Sequence, residues 1–85
     1  MKRKKRIELI LLEKFSNWKT EVKDISILHK GHNNFDGSEE THFSIILNSN
    51  SKNKESKLKI HRKINELLKD EFNSGLHSLE IKILN

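Results

Sequence analysis

Apolar residues recur along the chain at two different periods, and the changes of period mark out its elements. From 3 to 15, Ile7, Ile10, Leu11 and Phe15 fall three or four apart, the spacing of one helix face. Ser16 and Asn17 end that helix. From 18 to 28, Val22, Ile25, Ile27 and Leu28 stand among charged residues, which suits a strand. Residues 31 to 37 hold two glycines, two asparagines and Asp36, the chemistry of a loop. From 42 to 47, Phe43, Ile45 and Leu47 share one face of a second strand. Residues 48 to 56 are polar and low in complexity, and read as a further loop. Leu58, His61, Ile64, Leu67, Leu68 and Phe72 then recur at three and four, predicting the clearest helix of the chain, with Gly75 as its terminator. From 76 to 84, Leu79, Ile81 and Ile83 alternate with Ser78, Glu80 and Lys82, a third strand. The order is helix, strand, strand, helix, strand. A three-stranded sheet with helices packed on one face, an α+β arrangement, buries these stripes most economically.

Composition narrows the function. Eighty-five residues make one domain with a modest core. The chain has no cysteine, which excludes disulfides and thiolate zinc sites and fits a reducing compartment. We expect the cytoplasm, or alternatively the matrix of a mitochondrion or other organelle. No apolar run approaches the ~18–20 residues that cross a bilayer, so no membrane association is expected. The basic start, residues 1 to 6, leads into a short apolar run interrupted by Glu8, and reads as the first turns of a helix rather than an export signal. A net charge of +5 and a pI near 9.6 favour polyanions, so nucleic acid enters as a candidate partner. A composition rich in Lys, Asn and Ile throughout gives the same charge without any partner.

Three of the five histidines, His29, His32 and His42, fall within fifteen residues. They have no cysteine to activate, and the serines and aspartates near them show no triad order, so we expect no enzyme. A zinc site from His29, His32 and His61 would need a fourth ligand from Asp36, Glu39 or water. On their own terms His29 and His32 read equally as solvated loop residues. His61 reads as a partly buried residue of an apolar stripe, and His42 and His77 as structural. The start of the second helix carries Lys57, Lys59, Arg62 and Lys63, which could contact phosphate without reading sequence. Residues 48 to 56 contain no glycine and so no G-x-x-G loop with which to grip a nucleic-acid backbone.

Several motifs occur together and in order. Glu40-Thr41-His42-Phe43 resembles the E-T-H-F signature of the BolA family. Ile60-His61-Arg62 stands in the place of that family's R-H-R, Leu76-His77-Ser78-Leu79 is similar to its I-H-A-L, and the segment from Ser26 to His32 is similar to its S-x-x-H-x-G-H. The match runs from about 22 to 84. Three positions depart from the family pattern: Lys52 and Lys54 stand where it commonly has a phenylalanine and a glycine, and Ile60 replaces its arginine.

The resemblance implies a class II KH-like fold, α-β-β-α-α-β, with a three-stranded mixed sheet and a short extra helical turn before the main second helix. It implies a non-enzymatic protein that pairs with a monothiol glutaredoxin and co-ligates a bridging [2Fe-2S] cluster, with glutathione supplied on the partner side. The role would be iron–sulfur cluster trafficking or assembly, or iron regulation. Carried over residue by residue, the ligands would be His61 and either His29 or His32. Imidazole suits iron, and two histidines on one iron are known in Rieske-type centres, but the thiolates would have to come from the partner. Alone, the chain is expected to be a monomer without a cofactor. The alternative is a KH-like nucleic-acid-binding transcriptional regulator using Lys57, Lys59, Arg62 and Lys63, with weak, salt-sensitive DNA binding.

Overall fold

The structure is a computed structural model and describes residues 2–26, 40–49 and 55–84. Its elements are α1 (Arg3–Lys14), β1 (Lys19–Asp24), β2 (His42–Asn48), α2 (Lys57–Leu67), α3 (Lys69–Asn73) and β3 (Ser78–Leu84). The strands form one mixed sheet in the order β1-β2-β3, with β1 antiparallel and β3 parallel to β2. The registers pair Val22 with Ile45, Ile45 with Ile81, and Leu47 with Ile83, so one face of the sheet is apolar. Ile7, Leu11 and Phe15 of α1 and Ile60 and Ile64 of α2, with Leu68 at its end, close over that face. The expected α+β, KH-like architecture is the one observed.

The long helix read from 58 to 72 is broken in two at Leu68. This residue leaves helical geometry (φ −99°, ψ 14°) while its side chain stays fully buried, and the chain turns there into α3. The core face of α2 also differs from the predicted stripe. It is made by Ile60, Ile64 and Leu68, with Leu67 half-buried beside them, whereas Leu58 is 59% exposed. At ~100° per residue, Ile60, Ile64, Leu67 and Leu68 fall within about a third of the helix circumference, and Leu58 lies outside it. Ile60, a departure from the family motif, is thus the first core residue of the helix. The additional short helix seen here follows α2; the turn expected before it falls on 50–54, outside the described residues. β1 is shorter than predicted, ending at Asp24, and β3 begins at Ser78, with Leu76 buried ahead of it. Gly75 ends the α3 region with φ +126°, as a terminator should.

Two polar knots hold this frame. In the first, Arg3 and Arg6 of α1 grip Glu71 of α3. Arg3 Nε donates to Oε1 at 2.9 Å, and Arg6 donates from Nε to Oε2 at 2.8 Å and from Nη2 to Oε1 at 2.9 Å. Arg3 and Glu71 are both buried. The rest of the Arg3 guanidinium donates to the carbonyls of Ser74, at 2.8 Å, and Glu40. Its backbone N–H donates to the Glu40 carboxylate at 2.6 Å. That last contact satisfies a first-turn amide that no side-chain cap on α1 reaches.

In the second knot, Asp24 and Ser26 tie the end of β1 to the start of β2. Ser26 Oγ donates to Asp24 Oδ1 at 2.6 Å and accepts the N–H groups of Thr41 and His42 at 3.0 and 3.1 Å. Asp24 Oδ2 accepts the Glu40 N–H at 3.0 Å. Residues 26 and 40, the two ends of the connection between the strands, are therefore held side by side.

Both carboxylates sit below their ordinary values. For Glu71 the chief cause is hydrogen bonding from Arg6; burial opposes it and Arg3 assists. For Asp24 desolvation pushes upward, and the bonds from Ser26 and Glu40 together outweigh it. A depressed carboxyl contributes stability that is whole above its unfolded value of ~4 and lost as pH falls through its folded value. We therefore expect an acid limb in the pH–stability profile, flattened by Asp24→Asn combined with Glu71→Gln; an unchanged limb in that double variant would refute the assignment. Glu71→Ala, which strands a buried arginine, should lower unfolding free energy by about 3–5 kcal/mol in urea titrations at neutral pH. A loss under ~1 kcal/mol would mean that the pair is no more than a surface one.

Candidate functional site

His61 is placed by α2. Ser56 starts that helix, its side chain accepting the Lys59 N–H at 3.1 Å, and the buried Ile60 and Ile64 fix which way the helix faces. The next position round from Ile60 is the flank of the helix, so His61 is half-buried rather than part of a core stripe. Its backbone carbonyl accepts from Asn65 Nδ2 at 2.9 Å, and among the described residues its ring has no hydrogen-bond partner. Leu58, one turn earlier, adds an exposed apolar surface on the same side.

The other described histidines are engaged. His42 Nδ1 lies 2.9 Å from Thr41 Oγ1, and its ring meets that of His77 edge to face, with centroids 5.9 Å apart and an interplanar angle of 74°. The positive charge that His42 can carry also helps to hold Asp24 low, behind desolvation and the Ser26 and Glu40 bonds. The His77 N–H donates to the Thr41 carbonyl at 2.7 Å. The pair thus sits where the chain enters β2 and β3.

His29 and His32, together with Asp36 and Glu39, lie outside the described residues. The chain enters their segment from Ser26 and leaves it at Glu40, at the second polar knot. Among the described residues no three metal-ligating side chains come together. A depression of about 580 Å³ on the open face of the sheet, lined by Lys19, Thr20, Glu21, Ile46, Asn48 and Leu84, lies toward the opposite end of β2 from His42 and holds no histidine.

The cations of α2 are all exposed. Lys59, Arg62 and Lys63 fall within about a third of the helix circumference, away from the core, while Lys57 belongs to its first turn. Lys63 is partly engaged, 3.7 Å from the Glu55 carboxylate and 5.9 Å from the centre of the Phe15 ring.

Motif reading found the histidines but missed what organises them. Ser26 and Glu40, both within the family motifs, are knot residues. Arg3, Arg6 and Glu71 carry no spacing signal, since their partners are distant in sequence. The nearest hint was Asp24 two residues before Ser26, a spacing at which an aspartate side chain commonly bonds the backbone N–H.

Comparison with known proteins follows the same outline. The family model for BolA-like protein matches residues 11–85. SufE-like protein 1, chloroplastic/mitochondrial, of Arabidopsis thaliana is 45% identical over 65 residues, covering 72% of this chain and 18% of that protein, so the chain spans under a fifth of that relative. A Sinorhizobium sp protein described as "Uncharacterized protein in cobS 5'region" is 39% identical over 77 residues, 89% of this chain and 83% of its own. The solved BolA domain of SufE1 from Arabidopsis thaliana superposes with a TM-score of 0.79 at 38% identity, over 96% of this chain and 90% of that one. With the motifs, the element order and the structural likeness in agreement, the chain belongs to the BolA-like protein family.

Proposed function

We propose that this protein is a non-enzymatic partner of a monothiol glutaredoxin and helps to hold a bridging [2Fe-2S] cluster, in cluster trafficking or assembly or in iron regulation. The observation that supports this reading most is the state of His61. Its imidazole is half-exposed, on a helix fixed by buried side chains, and makes no hydrogen bond to any of the described residues. A ligand for a shared site needs that combination, because it must be rigid on its own side and open to donors from another protein. His42 and His77 lack it, being turned toward each other and Thr41.

The donor set fits such a cluster only in part. Neutral imidazole is a suitable iron ligand, and this chain offers no thiolate. On this side the ligands would be His61 and one of His29 and His32. The second polar knot supports that choice by keeping both ends of the histidine-bearing segment tied to the sheet. When bound, the cluster supplies exchangeable iron and sulfide. This chain's own task is to present two imidazoles and leave the remaining positions to the glutaredoxin cysteines and glutathione. A reducing compartment, cytoplasmic or organellar, is the setting that this chemistry needs.

The exposed cations of α2 favour a second reading, a KH-like nucleic-acid-binding regulator. Lys57, Lys59, Arg62 and Lys63 supply ~3–4 phosphate contacts, so duplex DNA affinity should fall roughly 40- to 150-fold between about 50 and 200 mM salt. Sequence-selective binding that persists at ~150 mM salt and is abolished by Lys59→Ala with Arg62→Ala would make this reading primary.

The main reading is tested by anaerobic mixing with a cluster-loaded monothiol glutaredoxin, followed by visible absorption and circular dichroism. The homodimer spectrum should convert to that of a heterodimer. His61→Ala should weaken the conversion at least ~10-fold, and His77→Ala should leave it intact. No spectral change with the wild-type protein would refute the proposal.

The same assay assigns the second ligand. Whichever of His29→Ala and His32→Ala makes the mixed cluster labile marks the ligand, and stability of the double variant would take this segment out of the site.

A further inference from the structure

Among the described residues β3 is an edge strand, paired on one side. It bonds only to β2, and among the described residues no backbone group pairs with its other side. The phase of the ladder shows which groups are left over. The Ser78 N–H donates to the Thr41 carbonyl and the Leu84 carbonyl accepts from the Ser49 N–H, so 78, 80, 82 and 84 turn their backbone groups toward β2. Leu79, Ile81 and Ile83 therefore turn theirs outward. The strand has no proline and runs for seven residues of regular extended chain, and its two charged residues, Glu80 and Lys82, are of opposite sign. On the helix side, Leu79 and Ile81 remain half-exposed although they belong to the apolar face. On the other side stand the exposed Glu80 and Lys82.

We infer that β3 pairs antiparallel with β3 of a second copy of this chain, about a twofold axis at Ile81. This departs from the lone monomer expected from the sequence. In that register Ile81 faces Ile81 of the second copy and Leu79 faces Ile83. All three are positions with outward backbone groups, and they supply about six new N–H···O=C bonds. Glu80 then faces Lys82 of the second copy, and Lys82 faces its Glu80. These are non-hydrogen-bonded pairs, in which opposing side chains come closest, so two opposite-charge pairs form. Sliding by two residues either way keeps the backbone in phase but sets Glu80 against Glu80, or Lys82 against Lys82. Like charges directly opposite are destabilising. Charge therefore selects one register of the three, and that register is self-complementary, as a twofold interface must be. The half-exposed Leu79 and Ile81 become covered in the same step.

The interface is small and belongs with transient ones. Sedimentation velocity of the full chain at low salt should show a monomer–dimer equilibrium as concentration rises toward ~1 mM. Glu80→Lys and Lys82→Glu each set like charges opposite at both pairs and should weaken association about tenfold. Mixing the two variants restores both opposite-charge pairs, so the mixture should associate as the wild type does. Both side chains are exposed, and thermal melts by circular dichroism check that each variant folds. As an independent readout, amide exchange at Ile81 in the wild type should slow with concentration while exchange at Glu80 does not. A chain that stays monomeric throughout, a dimer indifferent to both reversals, a mixture that fails to recover, or an Ile81 amide insensitive to concentration would each overturn the inference.

Discussion

The carboxylate of Glu71 binds two arginines of the first helix at once, and the placement of much of the rest follows from that. Arg3 comes from the start of the chain, Glu71 from α3, Ser74 from the turn after it, and Glu40 from the end of the β1–β2 connection; one guanidinium meets all of them. Buried ion pairs are weak evidence of net stability, because removing two charges from water offsets most of their attraction. What this one adds is direction. An apolar substitute could fill the same space, but it could not select the Ser74 and Glu40 carbonyls as partners. Gly75 shows how tightly the arrangement closes, since a Cβ there would stand 3.3 Å from Arg3 Nη2, and its φ of +126° suits no other residue.

The same contact accounts for a strained residue. Glu40 has φ 70°, the left-handed region, which costs a side-chain-bearing residue on the order of 1–2 kcal/mol. Its carboxylate and carbonyl are both held by Arg3, and its N–H by Asp24, so the strain is balanced at three points. The motif Glu40-Thr41-His42-Phe43 then has a physical reading, residue by residue. Glu40 anchors to α1, the Thr41 carbonyl receives the entry of β3, His42 meets His77, and Phe43 is fully buried in the core. It is a motif of assembly, and it brings the ends of the segment carrying His29 and His32 to a fixed place.

Periodicity made the strands and α1 legible because burial there follows simple alternation or a single helical stripe. It failed at α2 for a particular reason. Leu58, His61, Ile64, Leu68 and Phe72 keep a three–four spacing, but the helix ends at Leu68, and Glu71 must turn to reach the arginines. The true face, Ile60, Ile64 and Leu68, keeps an equally good spacing of four. Two overlapping stripes fit one sequence, and only the sheet beneath decides between them. The candidate site was legible in its histidines, whose chemistry is visible in a single residue. Its supports were not, because Arg3 with Glu71 and Ser26 with Thr41 are pairs made by tertiary contact.

Electrostatics alone does not separate the two functional readings. A cluster ligated by thiolates and glutathione is anionic, as is a phosphate backbone, and the cations of α2 would attract either. Long-range attraction of this kind raises encounter rates without naming the partner. Identity comes from short-range donors. On that test the cations of α2 offer only charges at the helix surface, with no G-x-x-G loop in the chain and no phenylalanine, tyrosine or tryptophan on α2 to stack a base. His61 offers a directed nitrogen donor, on a helix held by the buried Ile60 next to it, and among the described residues no neighbour takes it up. On the proposed cluster reading, the cations of α2 would gather an anionic partner and the imidazole would fix it.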